Sequence, residues 1–320
     1  MRIAFLLGVL LFTAGCSVLS IDLSPRIRPL EEETVEGSGD DKILLMDVSG
    51  FLSDESTSGL LTIGTPPPRV PLLVRIREEL KKATKDEKVK ALILKINTPG
   101  GTVTAADVIY RELELFRREK NVPIVAAMMD VAASGGYYIA LAADTIVAHP
   151  TSVTGSIGVI MLTFNAEGLM HKIGVAANAI KSAEHKDMGS PFRALRPEER
   201  AIFQSVIDGL YHQFVGRVVA RRGLPEGMAK TLADGRVYTA RQALDHRLVD
   251  RIGYMDEVVR ITREAAKLER ARVVVYHRPR QYRATYYAES TTQADTPLST
   301  ATALSSLITP GPKFLYLWWP

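Results

Sequence analysis

The chain has one cysteine in 320 residues, which excludes an intrachain disulfide. Its apolar run at the N-terminus covers only residues 3–12, while a membrane-spanning helix needs about 20 apolar residues. Neither charge dominates: 40 basic and 36 acidic residues leave a net charge of +4, and no basic stripe with interleaved aromatics is present. Nucleic acid is therefore not an expected partner. With 46% hydrophobic and 24% charged residues, the composition is that of a globular protein.

The N-terminus has the pattern of an export signal. Arg2 precedes the apolar run, and the small residues 13–15 precede Cys16. This order resembles the lipobox of bacterial lipoproteins, in which the cysteine is lipidated, although Thr13 stands where leucine is usual. A simple anchor or a buried lone cysteine is the alternative. We expect residues 1–15 to be a signal peptide and the exported chain to be lipid-anchored in the bacterial cell envelope.

The remaining chain divides by composition into three parts. Residues 16–41 are polar and lack periodicity, which predicts a tether. Residues 42–280 alternate β-branched runs with helical segments, which predicts one α/β domain with a mainly parallel sheet covered on both faces. Residues 281–320 are rich in Thr, Ser, Ala and Pro, which predicts disorder. They end in KFLYLWWP, an aromatic cluster that could insert at a lipid interface, dock in a groove, or have no role.

Ser134 lies in VAASGGYYIA, and Ser-Gly-Gly alone is an ordinary turn signal. In context, the triplet follows a predicted strand and precedes a predicted helix, which places the hydroxyl at the carboxyl end of a parallel strand. One strand earlier, KINTPGG ends in Gly100 and Gly101, whose amides can approach a carbonyl oxygen closely. Two neighbouring turns could therefore supply a nucleophile and its oxyanion donors, although each turn alone is also explained by backbone geometry.

Five motifs together resemble one protein family. They are INTPGGTV, VAASGGYYIA, TGSIGVI, IKSAEHKDMGSPFR and DGRVYTARQAL. Their order and spacing are similar to those of signal peptide peptidase A, and the resemblance covers about residues 42–268. It implies a ClpP/crotonase-like fold, with repeated β-β-α units and a mainly parallel sheet flanked by helices. It also implies a serine peptidase that needs no metal or other cofactor.

The resemblance assigns roles residue by residue. It makes Ser134 the nucleophile, Lys186 the general base, Ser156 the residue that orients the lysine, and Gly101 and Gly135 the oxyanion hole. A lysine base must be neutral, which burial against apolar surface favours. Within the sequence, two rivals for the base remain: Lys181, five residues away, and His185, since a Ser-His pair is the commoner arrangement.

The domain occurs once in this chain, and the resemblance then implies a homo-oligomeric ring in which neighbouring subunits share each active site. It also implies apolar peptide substrates, such as signal-peptide remnants, close to a membrane. Two other function classes remain open. A crotonase-like acyl-CoA enzyme would need no serine-lysine pair, and a catalytically silent lipoprotein scaffold would keep the fold without the chemistry.

Overall fold

The computed structural model describes residues 28–54, 70–279, 285–288 and 313–318. Its strands, numbered in chain order, are β1 Glu31–Gly37, β2 Lys42–Ser49, β3 Val89–Thr98, β4 Gly100–Thr102, β5 Ile124–Ala133, β6 Thr145–Ala148, β7 Val153–Gly155, β8 Ile160–Leu162, β9 Val237–Thr239, β10 Arg251–Ile252, β11 Arg272–His277 and β12 Lys313–Leu317. Its α-helices are α1 Leu72–Lys85, α2 Val103–Lys120, α3 Gly135–Ala140, α4 Glu167–Lys172, α5 Pro197–Arg222, α6 Glu226–Leu232, α7 Ala240–Asp245 and α8 Met255–Ala265, with a 3-10 helix at Glu184–Asp187.

The main sheet has the strand order β1-β11-β2-β3-β5-β6-β10, and β7 and β9 extend it beside β5. All pairs are parallel except β1 with β11 and β7 with β9. The central strands are almost continuously buried, as expected of a parallel sheet with both faces covered. One hydrophobic cluster packs helices α1, α2 and α3 on one face, and a second packs α8 on the other. The predicted α/β class with a mainly parallel, helix-flanked sheet is confirmed.

The sheet brings two connections to the same edge. Strands β2, β3 and β5 run parallel, so their carboxyl ends meet there. Strand β3 continues into the Gly100 turn and then into α2, where the Thr102 side chain caps the helix by accepting from the N–H of Ala105 at 3.3 Å. Strand β5 continues into the Ser134 turn and then into α3. The two predicted functional turns therefore lie side by side.

The predicted tether does not extend to residue 41, because Glu31–Gly37 forms strand β1. This strand pairs antiparallel with β11. Lys42 joins it to the sheet, since its Nζ donates to Glu32 at 2.8 Å and to Asp86 at 2.7 Å. The acidic sequence EEETVEG has weak intrinsic strand preference, and only pairing with a strand about 240 residues away gives it this structure.

The predicted disorder of residues 281–320 is wrong for Lys313–Leu317. This segment is strand β12, which lies between β4 and β8 and is antiparallel to both. The predicted signal peptide at residues 1–15 and the predicted lipidation site Cys16 lie outside the described residues. Within the described part of the chain, no helix has both the length and the apolarity needed to cross a bilayer.

Candidate active site

Ser134 occupies a strained position between β5 and α3. Its backbone has φ 52° and ψ −112°, a region that non-glycine residues rarely adopt. Two hydrogen bonds hold it there: its N–H donates to the carbonyl of Gly155 at 2.7 Å, and its carbonyl accepts from Tyr138 at 2.9 Å. The side chain is 1% exposed, and its Oγ has no hydrogen-bond partner among the described residues. Strain and an unsatisfied buried hydroxyl together are typical of a functional site.

The glycines of the two turns lie in direct contact. A Cβ atom on Gly100 would lie 2.8 Å from the amide nitrogen of Gly135, so only glycine permits this approach at Gly100, where φ is 106°. At Gly101, a Cβ would lie 2.0 Å from the carbonyl oxygen of Leu52. Both glycines of the turn after β3 are thus required for packing, whatever their chemistry.

The amide of Gly101 faces away from Leu52. The N–H of Thr102 donates to the Leu52 carbonyl at 2.8 Å, and the N–H of Leu52 donates to Gly100 at 2.9 Å. Since backbone groups alternate in direction along a strand, the N–H of Gly101 points to the opposite side of β4. This is the side on which strand β12 lies. The orientation suits a donor toward a carbonyl bound beside Ser134.

Ser156 is brought to the same place by strand pairing. Strands β5 and β7 align Ala133 with Gly155, the residues that directly precede Ser134 and Ser156. Ser156 is 7% exposed and has φ 48°, and its N–H donates to the carbonyl of Arg236 at 2.7 Å. This left-handed residue directly follows the end of β7, and β8 begins only at Ile160.

Lys186 does not join this group within one chain. It is exposed on the 3-10 helix Glu184–Asp187, and Ser134 Oγ has no hydrogen-bond partner in the part of the chain that the structure describes. Of the two alternative bases, Lys181 forms an ion pair, because its Nζ donates to Asp187 at 2.8 Å. An ammonium group in such an ion pair has no lone pair with which to accept a proton. His185 is exposed on the same helix.

A cluster of charges fixes the segment that carries Lys186, and sequence reasoning missed it. Arg193 donates to both carboxylate oxygens of Asp187 at 2.9 Å and to Glu199 at 2.6 and 2.9 Å. Hydrogen bonds from Arg193 bring the pKa of Glu199 down to about 2, and those from Arg193 and Lys181 hold the pKa of Asp187 well below its usual range. The three charges recur at a spacing of six, which marks no helix face, so only the folded loop reveals the cluster.

Among the described residues of a single chain, the site therefore lacks the proton acceptor that a serine nucleophile needs. Ser134, Gly135, Gly100, Gly101 and Ser156 converge at the carboxyl edge of the sheet. This group can position a peptide carbonyl and attack it, while the proton acceptor must come from elsewhere. Among the described residues, no group of His, Cys, Asp and Glu side chains could hold a metal ion.

Several known proteins have sequences similar to this one, over different fractions of their lengths. The model of peptidase family S49 matches residues 116–269. A protein named for signal peptide peptidase SppA in Enterococcus faecium is 35% identical over 77% of this chain and 70% of its own length. The chloroplastic serine protease SPPA of Arabidopsis thaliana is 33% identical over 72% of this chain, and protease 4 of Salmonella typhi is 38% identical over 60%. This chain spans only 33% and 31% of those two proteins.

One solved structure in the comparison is a mutant of ClpP1 from Listeria monocytogenes. It is similar with a TM-score of 0.43 and 14% sequence identity, over 67% of this chain and 94% of that chain.

Proposed function

The chain belongs to peptidase family S49 and is a serine peptidase, and from this membership we propose that it cleaves apolar peptides with a dyad of Ser134 and Lys186. The observation that carries the proposal is the strained, buried Ser134 beside two glycine turns, whose Oγ has no hydrogen-bond partner among the residues that the structure describes. A buried hydroxyl without a hydrogen bond is costly, and a nucleophile that awaits its base accounts for it. Protease 4 and the SppA relatives support the reaction type.

In the proposed reaction, Ser134 Oγ attacks the carbonyl carbon of a bound peptide while its proton passes to the neutral amine of Lys186. The amides of Gly101 and Gly135 donate to the oxyanion that forms. The protonated lysine then gives its proton to the departing amine, and an acyl-enzyme remains on Ser134. Water hydrolyses this ester by the same base. Ser156, next to Ser134 in the site, would hold the lysine without adding charge.

Labelling with a fluorophosphonate probe tests this proposal against the two other classes of function. The probe should react with the assembled protein at Ser134, because only an activated serine attacks it. Ser134→Ala should abolish the labelling, while Ser205→Ala, a serine on the exposed face of α5, should not change it. An acyl-CoA enzyme or a silent scaffold predicts no labelling of either protein above background.

A homo-oligomeric ring would supply the missing base. Lys186 is exposed in a single chain, as a group donated to a neighbour must be. The same segment exposes several large apolar side chains: Phe164, Leu169, Ile173, Val175, Ile180 and Phe192. Exposed apolar patches of this kind mark interaction surfaces. Burial of the segment against a second subunit would both cover these side chains and dehydrate Lys186, which favours a neutral lysine.

We also propose that lipidated Cys16 anchors the protein in the cell envelope, near apolar peptides such as signal-peptide remnants. Cys16→Ser is expected to move the protein from the membrane fraction to the soluble fraction, because stable anchoring depends on the lipid chains. Fractionation with a high-salt wash measures this, and Ser17→Ala is the neighbouring control. Retention of Cys16→Ser in washed membranes would contradict the lipid anchor.

A further inference from the structure

Thr98 lies where strand β3 ends, and it is completely buried. The register between β3 and β5 shifts at this point, because Ile96 is aligned with Met128 and Thr98 with Ala132. A step of two residues along β3 therefore matches a step of four along β5. Irregularities of this kind bend a strand and redirect its side chains, and they are common beside active sites. The shifted register places Thr98 beside Ala132, two residues before Ser134.

The Thr98 hydroxyl connects the ends of two strands. It accepts from the N–H of Gly100 at 3.0 Å and donates to the carbonyl of Gly50, which directly follows β2. The carbonyl oxygen of Gly100 is a second, more distant acceptor at 3.3 Å. A hydroxyl has one hydrogen to donate and two lone pairs that accept, so one group serves both partners. Replacing it by a methyl group would leave the buried N–H of Gly100 without this acceptor.

The methyl group of Thr98 lies against the helix that follows the nucleophile. A Cβ atom on Gly136 would lie 2.8 Å from the Thr98 methyl carbon and 2.9 Å from the Thr98 carbonyl oxygen. Gly136 is the second residue of α3 and follows Ser134 by two positions. The start of α3 therefore packs directly against Thr98, at a distance that only glycine permits. One buried side chain thus contacts both functional turns, the turn after β3 through its hydroxyl and the turn after β5 through its methyl group.

These contacts fix the orientation of the peptide group between Gly100 and Gly101. Glycine adopts many backbone conformations, and Gly100 has φ 106°, so the turn has little rigidity of its own. Thr98 holds the N–H of Gly100, and the N–H of Leu52 donates to the carbonyl of Gly100 at 2.9 Å. In a planar trans peptide, the carbonyl of one residue and the N–H of the next point in opposite directions. Because the Gly100 carbonyl is held, the N–H of Gly101 is directed to the opposite side.

We propose that Thr98 is a positioning residue for the oxyanion hole: its hydroxyl holds the Gly100 turn so that the amide of Gly101 is directed at the substrate carbonyl. Its methyl group keeps the start of α3, and with it Ser134, at a constant position relative to that amide. The inference rests on the proposed peptidase function for its effect on the rate. Since the amide acts on charge that develops in the transition state, loss of the hydroxyl lowers kcat more than it changes KM.

The hydrogen bond to Gly100 can be measured without catalysis. In the full-length Ser134→Ala protein, hydrogen exchange followed by mass spectrometry reports on the amides of residues 97–102. Thr98→Val keeps the shape of the side chain and removes the hydroxyl, so exchange in this segment should become at least about tenfold faster. Thr98→Ser keeps the hydroxyl and should leave the exchange slow.

Kinetics on a peptide substrate give the catalytic part of the test. With Ser134 present, Thr98→Val should lower kcat about 100-fold and change KM less than about threefold, because a displaced donor loses transition-state binding. Thr98→Ser should keep kcat close to the wild-type value. The matched control is Thr262→Val on α8. Thr262 is also completely buried and its hydroxyl donates to the carbonyl of Val258 at 2.7 Å, yet its replacement should leave kcat unchanged.

A second pair of variants gives the same test if circular dichroism shows that Thr98→Val does not fold. Thr98→Ala and Thr98→Ser differ only by the hydroxyl group. The alanine variant should show the fast exchange and the low kcat, and the serine variant should show neither.

Three results would count against the inference, each in a different way. Exchange that no substitution of Thr98 changes would contradict the hydrogen bond to Gly100. Faster exchange with a wild-type kcat would show that Thr98 stabilises the turn without positioning the oxyanion hole, while the peptidase function stands. If the wild-type protein neither hydrolyses peptides nor reacts with a fluorophosphonate, the peptidase function itself is wrong, and the effect of Thr98 on the rate is wrong with it.

Discussion

An equal mixture of inactive Ser134→Ala and inactive Lys186→Ala proteins should recover about a quarter of the wild-type activity after subunit exchange. Each substitution removes one chemical role, so each protein alone should lose at least about 1,000-fold in kcat. In a ring with shared sites, half of the subunits in the mixture keep Ser134 and the other half keep Lys186. Random assembly places an intact Ser134 beside an intact Lys186 at about one site in four. Peptide hydrolysis measured before and after exchange checks the result.

The control for this experiment is Lys181→Ala, which should keep activity because its ammonium is paired with Asp187. His185→Ala tests the remaining rival in the same assay. If the mixture stays as inactive as its components although exchange is demonstrated by mass labelling, the site lies within one subunit. Full activity of Lys186→Ala with loss in His185→Ala would replace the dyad by a serine-histidine pair.

Gly101→Ala should lower kcat/KM by about 100-fold to 1,000-fold, the usual effect of losing an oxyanion donor. The added Cβ would lie 2.0 Å from the carbonyl oxygen of Leu52, and backbone rather than a flexible side chain has to move. The displacement would shift the amide that we propose as an oxyanion donor. Kinetics on a peptide substrate measure the loss, and circular dichroism shows that the sheet remains.

Gly209→Ala is the matched control for this substitution. Gly209 lies inside α5, and a Cβ there meets no described atom within 4 Å. Alanine in a helix interior is favoured over glycine by roughly 1 kcal/mol, so this variant should be slightly more stable and fully active. If Gly101→Ala retains wild-type kinetics, Gly101 is not an oxyanion donor.

The sequence by itself determined the elements with strong local signals. Strands β3 and β5 are mostly apolar segments, as expected of strands buried on both faces, and the helix Pro197–Arg222 begins at a proline and ends before Gly223, which are local signals. The Ser134 turn was also readable, since glycines and a serine between a strand and a helix leave few backbone options.

The tertiary structure alone decided the features that depend on distant pairing. Strand β1 and strand β12 have weak local preference, and each is defined by partners more than 150 residues away. The contact of Gly100 with Gly135, the cluster around Arg193, and the separation of Lys186 from Ser134 within one chain likewise follow from how loops fold over the sheet edge. Local sequence fixes local conformation, whereas loop packing and strand addition depend on groups that only the complete fold brings together.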